Sequence, residues 1–178
     1  EIKQAKSPTI LHIASHGFYF DKLATKSDPS NSLAFATAEN PLIRSGLVLA
    51  GANTAWLKPG LLDEKAEDGI LTAFEARSLD LRETELVVLS ACDTGLGELR
   101  GDEGVYGLQR AFRTAGARYL IVSLWQVPDY QAQAFSLAFY EALLQEGQSI
   151  PQAFRSAQQT IREQYPAPFY WAGFVLIE

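Results

Sequence analysis

Apolar residues along this chain gather in short unbroken runs separated by polar, glycine-containing stretches. Residues 9–14 (Thr-Ile-Leu-His-Ile-Ala), 86–91 (Leu-Val-Val-Leu-Ser-Ala) and 118–125 (Arg-Tyr-Leu-Ile-Val-Ser-Leu-Trp) are the clearest. Runs of that length, rich in β-branched residues, predict strands buried on both faces. Leu47 to Ala50 predicts a short strand before a Gly51-Ala52-Asn53 turn, and Tyr170 to Ile177 a final strand. Between the runs the period lengthens. Ile70, Leu71, Phe74 and Leu79 predict a helix beginning at Asp68-Gly69. Val105, Leu108, Ala111 and Phe112 line one side of a helix that Asp102 would cap and that stops near Gly116. Asp129 opens a longer helix through Leu144, ended by Gly147, and Pro151 in a first turn starts another reaching about Gln164. Residues 18–45 read as a long mobile loop and residues 56–67 as a second loop or hairpin.

Strands alternating with helices argue for an α/β fold whose parallel sheet is covered on both faces. In such sheets ligands sit beyond the carboxyl ends of the strands. His16 follows the run at 9–14, and Cys92 follows the run at 86–91. If those strands are parallel neighbours, both side chains emerge at one sheet edge.

Composition narrows the classes of function. At 178 residues, 47% hydrophobic and 20% charged, the chain reads as one soluble globular domain. A formal charge of −6 gives no basic surface for nucleic acid. One cysteine excludes an internal disulfide. No signal peptide is visible and no apolar run approaches the roughly 18 residues of a membrane span, so the expected setting is cytoplasmic. The opening residues run almost directly into a core strand, which suggests a piece of a longer protein.

The candidate chemistry lies in the two strand-end motifs. Cys92 stands before Asp93-Thr94-Gly95, where a turn would expose the thiol and a nearby imidazolium would lower its pKa. The alternative is a small buried hydrophobe. His12, flanked by Leu11 and Ile13, reads as a satisfied histidine of the core or one that stands behind the site. His16, before Gly17, reads as the base of a Cys-His pair. The backbone N–H groups of Gly17 and Cys92 are candidate oxyanion donors. A zinc site is rejected, because strand residues four apart are separated by roughly 13 Å at about 3.3 Å per residue. The Gly95–Gly101 segment misses the spacing of a dinucleotide loop and lacks the Lys-Ser/Thr of a P-loop, so it reads as a flexible loop over the site. Asp129 reads either as a helix cap or as a carboxylate at the same edge, able to pair with an Arg or Lys of a substrate. Asp93 competes for that second role.

These motifs occur in an order that resembles the CHAT family, caspase-like domains often joined to TPR repeats and related to separase. The resemblance runs through Leu11-His-Ile-Ala-Ser-His-Gly17, Ser45-Gly-Leu-Val-Leu-Ala-Gly51, Asp68-Gly-Ile-Leu-Thr-Ala-Phe-Glu75 and Leu86-Val-Val-Leu-Ser-Ala-Cys-Asp-Thr-Gly95. It continues through Gly104-Val-Tyr-Gly-Leu-Gln-Arg-Ala-Phe112, Ala115-Gly-Ala-Arg118, Ser123-Leu-Trp125 and Phe169-Tyr-Trp-Ala-Gly-Phe174. It implies a caspase-like three-layer sandwich, with a mostly parallel sheet and helices on both faces, serving as the C-terminal catalytic part of a longer protein. The implied activity is a cysteine endopeptidase with His16 as base, Cys92 as nucleophile and no cofactor or metal. It also implies that Asp129 helps form a pocket for a basic residue before the cut. Here Gln126-Val-Pro-Asp129 stands where the family usually has Pro-Val-Asp-Asp. The implied partners are a protein substrate and a TPR or other repeat region, in the same chain or in an activating protein, with no nucleic acid and no membrane. The family domain begins about two strands earlier, so the strand at 9–14 is expected to carry an unpaired edge. The competing reading is a catalytically silent caspase-like scaffold or signalling module.

Overall fold

The computed structural model describes residues 2–19, 40–53, 68–92 and 104–178. Six strands form one sheet: β1 (Ile10–Tyr19), β2 (Ser45–Val48), β3 (Ile70–Thr72), β4 (Leu86–Cys92), β5 (Tyr119–Ser123) and β6 (Phe174–Ile177). Their order across the sheet is β3-β2-β1-β4-β5-β6. The expected parallel sheet is its centre, where β1 pairs with β4 and β4 with β5. β2, β3 and β6 are added antiparallel to their neighbours. The result is a mixed α/β fold.

Helices cover both faces, as the both-sided burial of the central strands requires. On one face Leu11 and Ile13 of β1 pack with Val87 and Leu89 of β4 against α1 (Ala73–Ala76) and α2 (Gly104–Thr114), where Phe112 is fully enclosed. On the other, Ile10, Leu86, Val88 and Ile121 meet α3 (Asp129–Tyr140) and α4 (Ile150–Gln164) through Phe135, Phe139, Phe154 and Ile161. α3 passes into a π turn over Glu141–Gln145, and the chain reverses at Gly147, whose φ is +67°. The start of α4 is fixed by Ser149 and Gln152, which bond reciprocally as a capping box around Pro151.

Two expectations need correction. Ile70 and Leu71 do not open a helix. They belong to β3, and only Ala73–Ala76 is helical, started by a capping box between Thr72 and Glu75. The apolar run Ile70-Leu71 fits either period, and pairing of β3 with β2 decides it. β1 does not stop at residue 14 but continues to Tyr19, because β2 supplies an antiparallel partner from His16 onward. The pairing with β2 begins only at His16, so the edge expected to be unpaired at 9–14 is unpaired among the described residues. Among the described residues, no strand flanks Ile10–Ser15 on the side away from β4. There Ile2, Lys3 and Ala5, with Leu49, Ala50 and residues 69–71, wall a cavity of about 750 Å³. The loops expected over 56–67 and 95–101, and most of that over 18–45, lie outside the described residues, as does Asp102.

Candidate active site

The carboxyl ends of β1 and β4 bring the two reactive residue types together. The parallel register runs Ile10↔Leu86 through His16↔Cys92, so these residues are Cα partners at the last rung of the ladder. Neighbouring strands lie about 4.8 Å apart, which is the backbone separation a Cys-His pair needs. His16 and Cys92 were expected just beyond their strands. Instead Cys92 is the final residue of β4, and His16 lies inside β1. The run Ala14-Ser15-His16-Gly17 looks like a strand end because it is small and polar. Antiparallel pairing of His16 with Val48 overrides that weak local preference.

His16 is thereby anchored on both sides, by Val48 of β2 and by β4. The Ser15 hydroxyl adds a bond to the Val48 carbonyl. Its imidazole is exposed. Ile10 faces the α3/α4 layer, and strand alternation sets His16 on that same face. β2 can approach so closely because residue 46 is glycine. A Cβ there would lie 2.5 Å from the Leu71 carbonyl oxygen and 2.8 Å from the Phe18 ring.

The ladder also orients the Gly17 amide. The Thr9 carbonyl accepts the Leu86 N–H, so odd-numbered residues of β1 turn their backbone groups toward β4. Gly17 follows the last paired rung, and the same pattern turns its N–H toward the end of β4, beside Cys92.

Asp129 is the first residue of α3, beyond the end of β5 and therefore at the same sheet edge. The cap position is held by Pro128, with no side-chain cap hydrogen bond. The helix-cap expectation for Asp129 is thus not met. Its carboxylate is exposed and makes no hydrogen bond to the described residues, and its negative charge suits a helix N-terminus. Asp93 lies outside the described residues.

His12 is satisfied by a hydrogen bond, as expected, but does not lie inside the core. It is exposed on β1, and its Nδ1 lies 3.0 Å from the Tyr140 hydroxyl of α3, with the rings stacked at 5.6 Å. The cost of burial holds the His12 pKa below the ordinary 6.5 and raises that of Tyr140. The sequence carries no signal for this contact, because 128 positions separate the two residues.

A family model, the CHAT domain, matches residues 1–178. The chain belongs to the CHAT family. Among curated proteins it is similar to tetratricopeptide repeat protein 28 of Mus musculus, 39% identical over 112 residues. The Homo sapiens protein of the same name is 37% identical over 110 residues. Each match takes in 61% of this chain and 4% of the relative, so this CHAT chain spans a small fraction of the relatives' length. No helix among the described residues is long and apolar enough to cross a membrane.

Proposed function

We propose that this CHAT domain is a cysteine endopeptidase working through a Cys92–His16 dyad. The observation that carries the reading is the pairing of His16 with Cys92 at the last rung between β1 and β4. In the proposed cycle the Cys92 thiol gives its proton to His16, and the sulfur adds to the peptide carbonyl carbon. The resulting oxyanion is held by the Gly17 and Cys92 amides. Collapse breaks the C–N bond, and His16 returns the proton to the departing amine, leaving a thioester on Cys92. His16 then takes a proton from water as that water attacks the thioester. The peptide's new carboxylate leaves and the thiol is restored.

Asp129, and Asp93 with it, would receive an Arg or Lys side chain before the cut. An exposed carboxylate without a hydrogen-bond partner among the described residues is suited to such a ligand. The relatives are named for their tetratricopeptide repeats, which supports control of the domain by a repeat region in the same polypeptide or in an activating protein. No cofactor enters this chemistry.

Digestion of a peptide library tests the reading. Cleavage after Arg or Lys, abolished by Cys92→Ala and shifted away from basic residues by Asp129→Ala, is the expected result. A folded protein that cleaves no peptide, alone or with its repeat region, would instead favour the silent scaffold.

A further inference from the structure

We propose that an aromatic shelf built from Trp125 and Phe169, and continued through Tyr170 and Tyr165 to Tyr130, selects an apolar side chain in the substrate on the amino-terminal side of the cut. The orientation of the peptide rests on the peptidase reading above. The register of β4 with β5 ends at Leu89↔Val122. β5 ends at Ser123, and Trp125 follows two residues later, beyond the same carboxyl ends of the central strands at which His16 pairs with Cys92.

The chemistry decides which half of the substrate lies over which strand. His16 must hand its proton to the departing amine, so the residues after the cut pass on the β1 side. The residues before the cut pass on the opposite side of β4, toward β5. An extended peptide advances about 3.3 Å per residue and the strands are about 4.8 Å apart. Trp125 is thus reached within one or two residues of the cut.

The shelf is held in place before any ligand arrives. The Trp125 indole N–H donates to the Phe169 carbonyl at 2.9 Å, and the two rings lie 6.4 Å apart at an interplanar angle of 16°. Gly173 admits the indole: a Cβ at that position would lie 2.9 Å from the Trp125 ring. Tyr130 is braced edge-on against Tyr165 at 6.4 Å. Yet Phe169 is 52% exposed and Tyr130 67%. Rigid aromatic surface left in water, beside Asp129, whose carboxylate has no hydrogen-bond partner among the described residues, has the makings of a subsite that gains by covering apolar area. The two features together describe a peptide with a basic residue at the cut and an apolar residue close before it.

The test separates the shelf from the chemistry. Two fluorescently labelled peptides, identical except for Leu or Gly immediately before an Arg, are titrated against the full chain carrying Cys92→Ala. The expected preference for Leu is about tenfold. Phe169→Ala, at an exposed position, and Trp125→Leu should each bring the ratio down to about twofold or less. Equal affinity for the two peptides, or a preference that survives both substitutions, would overturn the shelf. If the preference holds while the unsubstituted chain cuts neither peptide, the shelf stands and the peptidase reading falls.

Discussion

Adding one methyl group at Gly46 should loosen the strand that anchors His16. The new Cβ would stand 2.5 Å from the Leu71 carbonyl oxygen and 2.8 Å from two carbons of the Phe18 ring. Ordinary carbon contacts are about 3.5–4.0 Å, so relief requires a shift of roughly 1 Å. The Leu71 carbonyl belongs to the backbone of β3, whose register Leu47↔Leu71 holds β2. Overpacking of this kind costs about 1–3 kcal/mol, offset by about 0.4–1 kcal/mol from the reduced freedom of the unfolded chain. The net loss for Gly46→Ala is then about 1–2 kcal/mol. At about 2–4 °C per kcal/mol for a domain of this size, Tm should fall by roughly 2–8 °C. Thermal unfolding followed by circular dichroism measures it. An unchanged or raised Tm would refute the close approach of β2 to its neighbours, and with it the account of how His16 is held.

Two further outcomes follow from the α3/α4 side of the sheet. His12 has a depressed pKa when folded, so its neutral form is favoured by the fold and its contribution is present above the unfolded value of about 6.5. That contribution is lost as pH falls from 6.5 through the folded pKa. His12→Gln, which can still bond to Tyr140, should lose less stability than the parent between pH 7.5 and 5 in urea titrations; parallel curves would contradict the assignment. Phe135 is 3% exposed and stacks on Phe174 at 4.0 Å, with Phe154 edge-on at 5.6 Å. Phe135→Ala should cost about 3–5 kcal/mol by urea denaturation, and a loss below about 1 kcal/mol would show that the cluster is not a packed core.

How far the fold could be read depended on the kind of apolar pattern. The central strands β4 and β5 are buried on both faces and read as continuous apolar runs, and their neighbourhood fixed the sheet edge where His16 and Cys92 meet. The helices α3 and α4 were legible from Asp129, Gly147 and Pro151, because capping and turn chemistry is local. The flanking strands were harder. Ile70-Leu71-Thr72 is too short to carry a period, and β1 beyond Ala14 is strand because β4 pairs with it as far as His16 and β2 from His16 onward. The contacts that position the candidate site were invisible for the same reason. His12 with Tyr140, and Trp125 against Gly173, join residues far apart in sequence through packing that no local signal records.

The most direct test of the dyad is the pH dependence of iodoacetamide alkylation at Cys92 in the full chain, which holds no other cysteine to confuse the readout. The account predicts an apparent pKa at least about one unit below the free-thiol value of about 8.5, returning toward 8.5 in His16→Ala. A profile centred at or above 8.5, or one that His16→Ala leaves unmoved, would contradict the pairing of Cys92 with His16.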